Sequence, residues 1–151
     1  MTEAQKNEIA AVVDRYRADD NVIAAILIGS LARGDGREDS DVDIDVVVRT
    51  KRSNAEKTKD DLVLIRDHGN ELTRWSFTDA KVLFSLDDGI ESIIRMIPVF
   101  EEVERRRKME SFASQIRMHF AYIQLAEYSS NPYLLHETAV KIALFAGRLV
   151  L

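Results

Sequence analysis

The sequence predicts an α+β protein in which a small β-sheet is flanked by helices and followed by a C-terminal helical segment. A continuous apolar run at residues 22–28 is typical of a buried strand. Residues 42–48 alternate with acidic side chains, which indicates a strand with one apolar and one acidic face. From about residue 99 onward the apolar residues follow helical spacing. We therefore expect two domains, residues 1–98 and residues 99–151.

Local signals predict the remaining elements. An amphipathic pattern predicts a first helix, a short helical turn follows the first strand, and a polar loop with two glycines leads to the second strand. Two further strands are expected, and Trp75 is interpreted as a core residue of the first of them. The predicted helices cover residues 3–19, 61–67, 90–97, 99–128 and 132–151, and the two further strands cover residues 72–77 and 81–86.

Composition excludes several classes of function. The 151 residues include no cysteine, which excludes disulfide scaffolds, thiolate metal sites and thiol nucleophiles. The net charge of −5 argues against bulk nucleic-acid binding, because that requires many cationic contacts to phosphate. The sequence shows neither the layout of a signal peptide nor an apolar run long enough to span a bilayer. A cytoplasmic protein without membrane contact is therefore expected.

The most informative pattern is a glycine–serine pair followed, after a spacer, by two aspartates. Gly29-Ser30 ends the first predicted strand, and Asp41-Val42-Asp43 opens the second. Because alternate residues of a strand share a face, Asp41 and Asp43 are expected to project together. Two neighbouring carboxylates repel unless a cation neutralises them, and Mg²⁺ prefers oxygen ligands shared between protein and substrate phosphates.

This string resembles the signature of the DNA polymerase β-like nucleotidyltransferase superfamily, and it looks most like the minimal and antibiotic-modifying branches. The resemblance covers residues 22–48 strongly and extends loosely to about residue 97. It implies the polymerase β-like fold with a small mixed β-sheet. It also implies Mg²⁺-dependent transfer of a nucleoside monophosphate from a nucleoside triphosphate, with ATP as the expected donor, to a hydroxyl group.

The resemblance also implies roles for individual residues. Asp41 and Asp43 would be the metal ligands and the catalytic acids. Gly29 would allow close backbone approach to the triphosphate, and Ser30 would offer a hydroxyl and an N–H at a helix start. Arg33 and Arg37 are the two candidate phosphate contacts.

A third catalytic carboxylate is harder to place. The superfamily usually supplies it from a later strand, but Lys81 occupies the position where an acid is expected. Asp79, two residues earlier, is the candidate third carboxylate. Asp45 is interpreted as a fold-supporting or solvated group.

The acceptor and the partners remain open at this point. A small molecule such as an aminoglycoside- or lincosamide-like antibiotic is the first expectation, because the helical tail exceeds a minimal domain. The alternatives are a protein acceptor, as in minimal nucleotidyltransferases paired with a toxin, and a catalytically idle binding module, which Lys81 motivates. The apolar C-terminus at residues 143–151 indicates either a homodimer through the C-terminal helices or a natural chain that continues further.

Overall fold

A computed structural model describes residues 1–149, which form two compact units divided between Val99 and Phe100. Val150 and Leu151, the last residues of the predicted apolar terminus, lie outside the described residues. The first unit combines helices with a small sheet, and the second consists of two helices. The predicted α+β class is confirmed.

The first unit contains five helices and three strands. Its elements follow the chain in the order α1 (Glu3–Arg17), β1 (Val22–Leu27), α2 (Gly29–Arg33), β2 (Ile44–Val48), α3 (Lys59–His68), α4 (Glu71–Trp75), β3 (Lys81–Ser85) and α5 (Gly89–Met96).

The three strands form one sheet in the order β2-β1-β3, and both ladders are antiparallel. A single parallel bridge joins Val47 to Lys57 beside β2. Leu27, the last residue of β1, lies opposite Ile44 and Lys81, the first residues of β2 and β3. The turn after β1 and the loops that lead into β2 and β3 therefore lie together at the same end of the sheet.

The sheet is covered on both faces. Ile26 belongs to a core cluster with Leu62 of α3 and Ile90 of α5, whereas Leu27 belongs to a cluster against which Ile9 of α1 packs. Every residue of β1 is buried, as its continuous apolar run predicts. Burial of the central strand between two helical layers makes its C-terminal end a rigid support for the turn that follows.

The strand predicted at residues 72–77 is wrong, because this segment forms helix α4. The side chain of Asn70 accepts a hydrogen bond from the backbone N–H of Thr73 at 2.9 Å, which caps the helix. Arg74 is buried, and its Nε donates to the carbonyl oxygen of Ile97 at 2.6 Å. Trp75 is 37% exposed at the end of α4, so its prediction as a core residue is also wrong.

The second unit is a helical hairpin made of α6 (Glu102–Tyr128) and α7 (Pro132–Arg148). Asn131 caps α7 through its side chain, and Pro132 occupies the first turn, as the sequence predicts. Phe145 of α7 stacks on Phe112 of α6, with ring centroids 6.1 Å apart. No helix among residues 1–149 is long and apolar enough to cross a membrane.

Candidate active site

Gly29 forms a sharp turn between β1 and α2. Its φ of +73° lies in the left-handed region, which favours glycine because a side chain would be strained there. The N–H of Gly29 donates to the carbonyl oxygen of Ser76 at 3.2 Å, which ties the turn to the end of α4. Ser30 follows in the first turn of α2 and is half-buried.

Asp43 lies directly against this turn. The N–H of Ile28 donates to the carbonyl oxygen of Asp43 at 3.0 Å, which carries the β1–β2 pairing one residue beyond the strands. A Cβ at position 29 would stand only 2.7 Å from Oδ2 of Asp43. The carboxylate therefore occupies the space that a side chain at position 29 would need, and the structure brings Gly29 and Asp43 together.

Asp41 and Asp43 both precede β2, which begins at Ile44 and not at the predicted residue 42. The prediction was wrong here because the chain turns away at Gly29 after β1, so residues 41 and 42 have no neighbouring strand to pair with. Both aspartates are nevertheless exposed, while Val42 and Ile44 are half-buried and pack on the cluster of Leu27. The alternation that the sequence predicts is thus kept.

A buried glutamine, which sequence reasoning missed, holds the loop that leads to the aspartates. Nε2 of Gln5 donates to the carbonyl oxygens of Arg37 and Ser40 at 3.0 Å each. Its Oε1 accepts the N–H of Thr2 at 2.8 Å, so the same side chain completes the capping box of α1. The Thr2-x-x-Gln5 pattern was the available signal, although it indicates only a helix start.

Arg33, one of the two candidate phosphate contacts, lies at the end of α2 over an aromatic ring. Its side chain is 15% exposed, and its Nε donates to Oδ2 of Asp35 at 3.3 Å. Its Cζ stands 4.2 Å from the ring centroid of Trp75. Nη1 of Arg33 is buried and has no hydrogen-bond partner among the described residues. The structure thus places a cationic donor with unused capacity on the helix that begins at Gly29.

A family model described as Polymerase beta, Nucleotidyltransferase matches residues 7–89, which is more than half of the chain. The chain belongs to this family. No curated protein matches the chain in sequence. The matched span includes most of α1, the glycine turn, both aspartates, α4 and β3, whereas Gln5 lies just before it. Membership supports a general nucleotidyltransferase activity, and the predicted superfamily is confirmed.

The third carboxylate of this nucleotidyltransferase stays a prediction. Asp79 is exposed in the turn before β3, with a φ of +55°. Residues 1–149 hold no group of three or more His, Cys, Asp or Glu side chains placed to bind a metal. Lys81 lies opposite Leu27, and therefore on the sheet face covered by α1.

Ala80, just before β3, and Val82, in β3, lie on the sheet face of Asp43. Asp45, Ile26 and Val82 are neighbours across the sheet. By strand alternation, Asp43 and Ala80 flank Ile28 in the row beyond. Ala80 and Val82 both pack against the core cluster of Ile26. On this face the two positions nearest Ile28 along β3 are therefore apolar and offer no carboxylate.

Asp45 is held by an ion pair. Its Oδ1 accepts from Nζ of Lys57 at 2.5 Å, and its side chain is only 13% exposed. The backbone N–H of Lys57 donates to the carbonyl oxygen of Val46, so the pair closes a segment that runs beside β2. This arrangement agrees with the interpretation of Asp45 as a fold-supporting residue.

The carboxylates at the site fit a divalent cation of the kind that the family generally uses with a nucleoside triphosphate. Asp41 and Asp43 offer exposed oxygen donors, and Mg²⁺ takes one or two protein carboxylates while substrate phosphates fill other positions. Glycine at position 29 leaves Oδ2 of Asp43 beside an open backbone, with no side chain to cover it.

Proposed function

We propose that the chain is a Mg²⁺-dependent nucleotidyltransferase that transfers a nucleoside monophosphate from ATP to a hydroxyl of a small molecule, such as an aminoglycoside- or lincosamide-like compound. The observation that carries the proposal is the contact between the carboxylate of Asp43 and the glycine turn. A triphosphate that approaches this turn would meet a cation held by Asp43 and Asp41. Family membership supports the class of reaction.

The roles of the chain's own residues follow from their positions. The acceptor oxygen attacks the α-phosphorus, the bond to the bridging oxygen of the β-phosphate breaks, pyrophosphate leaves, and the hydroxyl proton passes to solvent. The N–H and hydroxyl of Ser30 and the unpartnered Nη1 of Arg33 donate to phosphate oxygens. Asp41 and Asp43 hold the cation, which when bound would activate the acceptor oxygen and stabilise the leaving group.

A groove beside β3 supports a small-molecule acceptor. It has a volume of about 590 Å³, and it runs from Ala80 and Lys81 toward Asp87 and Glu91. Sites for drug-sized ligands commonly fall between about 300 and 1,000 Å³. Ala80, at one end of this groove, lies in the same row across the sheet as Ile28 and Asp43.

One observation favours a second candidate, an idle nucleotide-binding module. Ala80 and Val82 supply no carboxylate on the face of Asp43, and the described residues hold no group of three metal-ligating side chains. Two carboxylates are enough to bind a Mg²⁺–nucleotide complex. In-line transfer also requires that the charge that develops on the transferred phosphoryl group be stabilised.

Nucleotidyl transfer can be tested directly. The protein is incubated with Mg²⁺ and ATP labelled at the α-phosphate, over a panel of hydroxylated small molecules and candidate proteins, and label transfer and pyrophosphate are measured. Asp43→Ala and Asp41→Ala should abolish transfer. Asp39→Ala is the matched control, because Asp39 is an exposed acid of the same loop whose carboxylate pairs with Arg37 at 3.2 Å. Nucleotide binding without pyrophosphate release would support the idle module, and label on a protein would replace the small-molecule acceptor.

We also propose that the second unit pairs with a second copy of itself. Exposed apolar side chains recur at helical spacing on both helices. The two rows of side chains, one on each helix, face the same side of the antiparallel hairpin. All are at least 41% exposed: Met118, Tyr122 and Leu125 on α6, and Tyr133, Val140 and Leu144 on α7.

The size and charge of this apolar side favour a second copy. Over the 17 residues of α7 the side is about 26 Å long and about 20 Å wide, since a helix rises about 1.5 Å per residue and is about 10 Å across. Before the relief of the side chains is counted, this footprint is about two thirds of the roughly 800 Å² that each partner buries in a standard interface. Before its last turn, α7 carries one acidic residue, Glu137, and one basic residue, Lys141, whose charges cancel. A second copy would therefore meet little net charge on this helix.

A further inference from the structure

We propose that Trp75 is a positioning residue that holds the guanidinium of Arg33 beside the glycine turn for contact with the phosphates of the nucleotide. The inference rests on the proposed function and deepens it, because it assigns the residue that orients the phosphate contact. It depends on two observations: the stacking of Arg33 on Trp75, and the hydrogen bond that ties α4 to the glycine turn.

The backbone brings the two side chains to the same place. Arg33 follows Gly29 by four residues, so both lie on one side of α2, and helical side chains lean toward the N-terminus of their helix. The guanidinium is thereby directed back toward the turn. On the other side, the bond from the N–H of Gly29 to the carbonyl oxygen of Ser76 fixes the end of α4, and Trp75 is the residue before Ser76.

Stacking on the ring leaves the donors of Arg33 available. A guanidinium over an aromatic ring uses its flat face, so its N–H groups, which lie in the plane, remain free to bind phosphate oxygens. Of these, Nε donates to Asp35 at 3.3 Å, while Nη1 is buried without a partner among residues 1–149. A buried donor without an acceptor is unfavourable, and because Nη1 is covered, a phosphate oxygen would satisfy it after a shift of the side chains around it.

The ring is itself accessible. Trp75 is 37% exposed, although a tryptophan that served only the core would be covered. The ring makes no side-chain hydrogen bond among residues 1–149, and its stacking on Arg33 is the contact that holds it. An exposed aromatic ring that immobilises a flexible cation reduces the entropy that Arg33 would lose on binding.

The first test is a double-mutant cycle on nucleotide affinity. The Kd for Mg²⁺–ATP is measured by calorimetry for the full chain and for Trp75→Leu, Arg33→Ala and the double variant, so that the answer does not depend on turnover. We expect Trp75→Leu to raise Kd about two- to thirtyfold, the range that corresponds to a cation–π contact. If Trp75 acts through Arg33, it should add little in the Arg33→Ala background.

Conservative variants separate positioning from packing. Trp75→Phe keeps a ring and should recover most of the affinity, whereas Trp75→Leu should not. Tyr16→Leu is the matched control, because the ring of Tyr16 also lies under a guanidinium, that of Arg15 at 5.0 Å, on a different part of the same unit. In active enzyme, the Trp75 variants should change KM for ATP with little change in kcat.

Fluorescence gives an independent readout, because Trp75 is the single tryptophan of the chain. Mg²⁺–ATP should change its emission in the parent protein, and Arg33→Ala should weaken this response. Additive effects of the two substitutions on Kd, or an unchanged Kd in Trp75→Leu, would overturn the inference. If nucleotide binding depends on Trp75 but no nucleotidyl transfer occurs, the inference about Trp75 holds and only the proposed function is refuted. If the parent protein does not bind the nucleotide, both are refuted.

Discussion

The substitution Gly29→Ala tests the contact between the glycine turn and Asp43, on which the candidate active site depends. It adds one methyl group at a position whose φ is +73° and whose Cβ would stand 2.7 Å from Oδ2 of Asp43. Two costs therefore arise, one from the backbone conformation and the other from the displaced carboxylate.

The two costs have different sizes and different consequences. A non-glycine residue in the left-handed region costs about 1–2 kcal/mol, which lowers the melting temperature by about 4–8 °C per kcal/mol in a domain of about 100 residues. The carboxylate must move by roughly 0.7 Å to reach an ordinary contact of about 3.4 Å, and because Asp43 is exposed it can rotate for about 1 kcal/mol. A displacement of this size at a reacting centre can lower the rate about 100-fold.

The chain supplies a matched control in Gly34→Ala. Gly34 has a φ of +88°, but a Cβ there would meet nothing within 4 Å. Melting temperature and nucleotidyl transfer are measured for both variants. Gly34→Ala should lose stability similarly and keep most of its activity, whereas Gly29→Ala should also lose about two orders of magnitude in kcat/KM.

A second background isolates the contact itself. In an Asp43→Ala protein the carboxylate is gone, so Gly29→Ala should cost only the backbone strain, as Gly34→Ala does. Equal loss of activity in Gly29→Ala and Gly34→Ala, or a stability loss for Gly29→Ala that is the same with and without the Asp43 carboxylate, would refute the reasoning.

Three further predictions concern the supports of the site and the helical hairpin. Gln5→Leu removes two hydrogen bonds to the loop before Asp41, and it should lower stability by about 1–3 kcal/mol and activity by a larger factor than an equally destabilising core change; thermal melts and initial rates would show this. The pKa of Asp61 is lowered to about 2, first by the hydrogen bond from the backbone N–H of Thr58 and then by Lys51. Because the folded-state pKa of Asp61 is depressed, its contribution to the free energy of unfolding is present above about pH 4 and is lost as the pH falls toward 2. At neutral pH the parent protein should be more stable than Asp61→Asn by about 1 kcal/mol after solvent screening, and this difference should disappear as the pH falls from about 4 to 2. Leu144→Asp places a charge on the apolar side of the hairpin and should convert a dimer to a monomer in sedimentation, whereas a monomeric parent protein would contradict the proposed pairing.

The sequence predicts correctly those strands and helices whose burial pattern can be read from consecutive residues. The apolar run of β1 and the helical spacing of α1, α6 and α7 each reflect the local chain alone. By contrast, residues 72–77 have β-branched and aromatic members typical of a strand, yet they form α4. Two features overrode that propensity: the cap at Asn70, and the burial of Arg74 against carbonyl oxygens more than twenty residues away.

The residues of the candidate site also fall into two groups, those that the local sequence predicts and those that depend on distant contacts. Gly29, Asp41 and Asp43 were singled out by their spacing in the family signature, whereas the left-handed backbone of Gly29 is known only from the structure. Gln5 was missed because its partners are backbone carbonyl oxygens, which leave no mark in the sequence. Trp75 was misassigned because its neighbour Arg33 is distant along the chain.

The sequence by itself determined the α+β class, the glycine turn and the family signature, since each depends on residue types at short spacing. Only the tertiary structure decided that the carboxylate of Asp43 fills the space beside Gly29, and that Ala80 and Val82 lie on the same face of the sheet as Asp43. The reason is physical: the register of antiparallel strands and the packing of helices on both faces set which side chains meet, and these depend on contacts between segments far apart in the chain.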